Sequence, residues 1–136
     1  MSIMAKKNKN QVKELIVETI KKTNWLSYPQ LVRLLRNEGV EVDGTYQLEM
    51  KEKNIVLWGG LSKVVVDAIV DLMQENIVVG LPAPIELYRM DGFSFEYPVV
   101  FKLPEEKLKA PAVFLTFLNY VPESKRAVAS PTPLLQ

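Results

Sequence analysis

The stretch "LSKVVVDAIVDLMQENIVVG", residues 61–80, decides how the rest of the chain is read. Lys63, Asp67, Asp71 and Glu75 recur every fourth residue, so they share one helical row, with Gln74 beside it. Val65, Val66, Ala68, Ile69, Val70, Leu72 and Met73 fill the opposite side. That apolar arc is about twice the ~100° that a surface helix needs to cover a core. Ser62 stands where an N-cap belongs, and Ile77 to Val79 are β-like. The stretch therefore reads as a helix running into a strand, with an acidic outer face and more apolar surface than the first two helices cover, so that the inserted hairpin, the C-terminal segment or a second subunit must meet the rest.

Upstream, Val12, Leu15, Ile16, Thr19 and Ile20 follow the spacing of an amphipathic helix from Gln11 to about Thr23-Asn24. In "SYPQLVRLLRNEG", residues 27–39, Ser27 and Gln30 fit a capping box, Pro29 suits a first helical turn and Gly39 a C-terminal stop. Leu31, Leu34 and Leu35 are the expected buried stripe. Between this helix and the third, the period changes. Tyr46, Leu48 and Met50 alternate with Gln47, Glu49 and Lys51, and Ile55 to Trp58 is a second apolar run, so a β-hairpin is expected about "KEKN". Asp43-Gly44 reads as a further turn, and Gly59-Gly60 as a break.

Downstream, "LPAP" cannot lie in a central strand, because its prolines lack a ladder donor. Ile85 to Met90 and Phe93 to Phe101 read as a second hairpin about Asp91-Gly92. Residues 111–121 read as a last strand or short helix. Residues 1–10 are expected to be a disordered basic arm, 11–121 a single domain, and 122–136 a flexible tail rich in Pro, Ser and Ala.

Composition removes several chemistries. The 136 residues include no cysteine and no histidine, which excludes disulfides, thiol catalysis and zinc thiolate sites, and takes away the commonest general base. The opening MSIMAKKNKN has charge but no apolar stretch behind it, so it does not read as a secretory signal. No apolar run approaches the roughly 20 residues of a membrane helix. The chain reads as cytoplasmic, with no membrane association. Its net charge of +1 is uneven. Residues 1–40 hold eight Lys/Arg against three Asp/Glu, and residues 41–80 three against seven. A basic N-terminal part points to an acidic partner or, equally, to a solubilising tail.

The order of elements, with a third helix ending in "LMQENIVVG" and a hairpin at "YRMDGFSFEY", resembles the winged helix-turn-helix superfamily, whose third helix leads into a two-stranded wing. The resemblance spans residues 11–102. It implies an α+β fold, winged-helix-like, with three helices, a C-terminal β-hairpin wing and an additional inserted hairpin. Residues 40–60 replace the short turn that ordinarily joins the second and third helices. Most members bind double-stranded DNA, and a fair number are protein-interaction modules.

Two functions follow. The first is a small non-enzymatic nucleic-acid-binding protein of regulatory type, acting in transcription. Lys6, Lys7 and Lys9 of the arm, Arg33 and Arg36 of the second helix, Ser62 and Lys63 at the third helix's N-terminus, and Arg89 on the wing would contact phosphates. The second is a homodimeric protein-interaction module without DNA binding, in which Val66 and Val70 form the interface. The acidic row separates them, since it would repel a duplex carrying one charge per roughly 1.7 Å. No phosphate loop, dinucleotide motif or catalytic constellation is present. Asp67 and Asp71 alone are a poor cation site. No cofactor or metal is implied.

Overall fold

The first helix begins before its apolar periodicity does, because Asn8 caps it. In the structure, a computed structural model that describes residues 7–23, 25–84, 86, 88, 97–100 and 102–126, α1 runs Lys9–Lys22. Asn8 Oδ1 accepts from the Gln11 backbone N–H and Gln11 Oε1 accepts from that of Asn8, both at 2.9 Å. Lys9 and Asn10, expected in a disordered arm, therefore form the first turn of α1.

Helix α2 (Tyr28–Asn37) has the expected Ser27/Gln30 capping box, and Gly39 follows it at φ 83°. Its buried stripe is Tyr28, Leu31 and Leu35, whereas Leu34 is exposed. Leu34 lies one step outside the arc that these three define.

The inserted hairpin is present as β1 (Asp43–Met50) and β2 (Ile55–Leu61), antiparallel and irregular in register. Asp43-Gly44 is not a turn and Gly59-Gly60 is not a break; both lie in the strands. Gly44 is there because β1 crosses the β2–α3 junction closely. A Cβ on Gly44 would stand 2.5 Å from Leu61 O and 2.8 Å from Ser62 Cα. Helix α3 (Lys63–Gln74) follows. It ends at Asn76, whose φ of 59° is a conformation asparagine adopts readily.

Strand β3 (Val78–Pro82) then pairs antiparallel with β6 (Thr116–Tyr120). Leu81 and Pro82 fit because this is an edge strand of a two-stranded sheet. A second sheet has the order β1-β2-β5-β4, in which β4 (Val99–Val100) and β5 (Ala112–Phe114) run parallel to their neighbours. Residues 111–121 thus supply two strands, and Glu123–Arg126 of the expected tail form a short α4. Of the hairpin expected about Asp91-Gly92, residues 85, 87, 89–96 and 101 lie outside the described residues. Glu86 and Tyr88 are helical rather than extended. Among the described residues, β4 pairs with β5.

Val12, Ile16 and Ile20 of α1, Leu31 and Leu35 of α2, Ile69 and Leu72 of α3 and Leu118 of β6 share one core. A smaller cluster gathers round Tyr88. The Tyr88 hydroxyl donates to Thr116 O at 2.6 Å and accepts from the Tyr28 N–H at 3.4 Å. Trp58 lies nearly parallel to Tyr28, with centroids 6.0 Å apart, and tilted to Tyr88 at 5.5 Å. No helix among the described residues is long and apolar enough to cross a membrane.

One backbone position stands out. Trp25, between α1 and α2, has φ 64°. A left-handed conformation at a bulky residue costs about 1–2 kcal/mol.

Candidate functional site

The acidic row of α3 is not an open face. Lys9 Nζ lies 2.8 Å from Asp71 Oδ2, and Lys13 Nζ lies 2.7 Å from Glu75 Oε1 and 3.6 Å from Asp71. One turn earlier, Lys63 meets Asp67 at 2.7 Å. The first two turns of α1 therefore clasp the last two of α3. The core forces this arrangement, since burying Val12 and Ile16 against Ile69 and Leu72 brings the two polar margins together. A hydrogen bond from Lys9, with Lys13 nearby, holds the Asp71 carboxyl below its ordinary value. Its hydrogen bond to Glu75 raises Lys13, and the bond to Asp67 raises Lys63.

These shifts fix the sign of a pH dependence. A lowered Asp71 stabilises the fold above its unfolded value of 3.8, and that contribution is lost as pH falls. A raised Lys13 stabilises below 10.5, and its contribution is lost as pH rises through the higher folded value. The clasp is complete between those limits. Asp71→Asn should remove part of the acid limb and lower the thermal midpoint by only a few degrees at neutral pH, because exposed ion pairs contribute little. Thermal melts from pH 2 to pH 7 test this; an unchanged acid limb would show the clasp to be energetically idle.

Ion pairs engage three of the described cations expected to contact phosphates. Lys9 is held by Asp71 and Lys63 by Asp67. Arg36 Nη2 is 2.9 Å from Asp43 Oδ1. The Ser62 hydroxyl accepts from Val65 N–H as the N-cap and donates to Glu41 O at 2.7 Å. Lys7 is half-buried and Arg33 exposed, while Lys6 and Arg89 lie outside the described residues. No single pocket gathers the described members of the set. Arg33 and Arg36 do share a cleft of about 330 Å³ between α2 and β2, with Trp58, Gly59 and Gly60 on its other wall.

Val66 and Val70 lie elsewhere. Both are half-buried and floor an open groove of about 610 Å³ between α3 and β1. Tyr46 and Leu48 rise on the β1 side, and Gln47, Glu49 and Lys51 complete the rim. Leu48 is buried, but Tyr46 is 49% exposed. The surplus apolar arc of α3 is thus only partly covered by the inserted hairpin. Tyr46 and Lys13 were not singled out from sequence. Tyr46 reads as one more residue of the hairpin's inner face, and Lys13 as an ordinary polar residue of α1.

The fold and these surfaces define a small α+β protein with a groove of mixed polar and apolar lining beside an internally neutralised helix. The chain matches no protein-family profile, and comparison with curated proteins and with solved structures gives no significant match.

Proposed function

We propose that this chain is a non-enzymatic protein-interaction module on a winged-helix variant, and that it self-associates through the groove between α3 and β1. The winged-helix reading is supported by the passage from α3 through Asn76 into β3, which enters a two-stranded antiparallel pair. Its return strand is β6, so this pair is not the hairpin expected about Asp91-Gly92.

The observation that carries the interaction reading is the groove itself: an apolar floor of Val66 and Val70 beside an exposed Tyr46. In an isologous pair the same patch meets itself, so it must carry both a projection and a recess. Tyr46 is the projection and the valine floor the recess. The rim carries both signs, with Glu49 and Lys51 3.9 Å apart, so a two-fold related copy can match charges as well. Sedimentation equilibrium should give twice the 15.5 kDa chain mass at high micromolar concentration. A monomer there would overturn self-association.

A second reading, backbone contact to double-stranded DNA, draws on Arg33 and Arg36 in the α2–β2 cleft. A phosphate would have to displace Asp43 from Arg36. If this reading is right, log affinity falls with log salt at a slope of about −2, and Arg33→Ala with Arg36→Ala abolishes binding. The interaction reading expects no duplex binding at moderate salt. Anisotropy with a labelled duplex at two salt concentrations separates the two.

A further inference from the structure

The cleft between α2 and β2 shares no lining residue with the α3–β1 groove, and it has the proportions of a slot. Pro29, Arg33 and Arg36 lie along one wall, and about two helical turns, or roughly 10 Å, separate the first from the last. Trp58 to Leu61 of β2 form the other wall, which also spans roughly 10 Å of extended chain. These four strand residues are consecutive, whereas a cleft lying over one face of a sheet would meet alternate ones. The slot therefore follows the β2 main chain.

The ladder passes over the centre of that stretch on both edges. Strand β5 is matched only to Ile55 and Val56, and β1 is matched to Trp58 and Leu61 but to neither glycine between them. Gly59 and Gly60 are both exposed. Glycine inside a strand marks a bulge or the close approach of a ligand or another backbone. The φ of 70° at Gly60 accounts for the bulge. Gly59 has no such internal cause, because a Cβ there would meet only the Gln47 side chain, at an ordinary 3.7 Å. The bare main chain at Gly59 leaves room that the fold itself does not use.

We propose that this slot takes an extended, acidic segment of a partner protein, laid along Gly59 and Gly60. The segment's N–H and C=O groups meet the β2 main chain, as when a strand is added to a sheet. Its carboxylate enters beside Arg33 and Arg36, which stand three residues apart on one helix face. Two guanidinium groups against the single carboxylate of Asp43 line the slot, so charge selects an acidic ligand. The Arg36–Asp43 pair is exposed, and a pair of this kind contributes little and yields readily. At about 3.3 Å per residue, roughly three residues of the segment fill the slot. A space of this size admits one extended chain, whereas a duplex could touch only its mouth.

The test uses the full chain and a fluorescein-labelled heptapeptide of alternating valine and glutamate, followed by anisotropy. The same peptide with N-methylated valines, its glutamine analogue and a labelled duplex serve as comparisons. Saturable binding of the acidic peptide is expected. Both analogues should bind at least about tenfold more weakly, as should the parent peptide to Arg33→Ala with Arg36→Ala, the effect of losing a central interface contact. Gly59→Ala is the sharpest variant. Its methyl group stands where the peptide main chain must approach, and overpacking of a contact should weaken binding about tenfold. Its circular dichroism spectrum and urea midpoint should stay those of the wild type. Val66→Lys, in the other groove, should bind the peptide normally, so failure of self-association leaves the assignment standing. No saturable binding, equal affinity of either analogue, unchanged affinity in Gly59→Ala, or tighter binding of the duplex would each overturn it.

Discussion

Val66→Lys yields a monomer. Val66 is half-buried on the groove floor, so in a free chain the lysine can lay its methylenes along the groove and keep its ammonium in water. In the proposed dimer the same position lies under the Tyr46 ring of a second copy, where a charge without a partner is costly. The reciprocal change, Tyr46→Ala, removes the projection. Truncating a central aromatic anchor costs about 2 kcal/mol or more, and a two-fold interface contains it twice. The dimer dissociation constant should therefore rise by roughly a thousandfold. Sedimentation equilibrium gives the mass, and thermal melts at low concentration establish that each variant still folds. A Val66→Lys protein that sediments like the wild type would move the interface away from the groove.

The sequence displays some of this architecture openly and hides the rest for identifiable reasons. Helix α2 and the start of α3 are legible because local chemistry marks them. The Ser27/Gln30 box, Pro29, Gly39 and Ser62 each satisfy or replace a terminal backbone group. The β1–β2 hairpin is legible from its alternation. Its glycines mislead, because a glycine needed for close approach looks the same in sequence as one needed for a turn. Gly44 is of the first kind. The start of α1 is marked by the Asn8/Gln11 capping box, but that mark lies inside a lysine-rich stretch whose composition reads as a disordered arm. The β2–β5 pairing and the β3–β6 pairing join residues far apart in the chain, and periodicity carries no information about such partners.

Charge misleads in a similar way. The basic N-terminal part and the acidic middle suggest an anionic partner when they are tallied along the chain. In three dimensions Lys9 and Lys13 face Asp71 and Glu75, and Arg36 faces Asp43. Much of the asymmetry is thus the protein's own complementarity seen in linear projection. The surplus apolar arc of α3 was the more durable signal. An apolar face has to be covered by something, and here β1 covers only part of it.

Gly44→Ala should be the most damaging single methyl group among the glycines of the hairpin. The added carbon would meet Leu61 O at 2.5 Å and Ser62 Cα at 2.8 Å, and both are backbone atoms. No rotamer change relieves the contact, so β1 must withdraw from the β2–α3 junction. Withdrawal strains the bonds that lock this corner, from Ser62 N–H to Val42 O at 2.8 Å and from the Ser62 hydroxyl to Glu41 O at 2.7 Å. Overpacking of this kind costs about 1–3 kcal/mol, and each weakened hydrogen bond about 1 kcal/mol more. A total of about 3–5 kcal/mol follows, a large share of a small domain's stability. The neighbouring glycines provide the control. Alanine at Gly60 meets nothing within 4 Å but inherits a φ of 70°, which costs about 1–2 kcal/mol. Alanine at Gly59 touches only the Gln47 side chain, at 3.7 Å, and should be close to neutral. Urea unfolding of the three variants should therefore rank Gly44→Ala well below Gly60→Ala, with Gly59→Ala nearest the wild type. Equal stabilities would mean that β1 does not press on the α3 N-terminus. The groove that depends on this contact, and the dimer proposed from it, would then lose their framework.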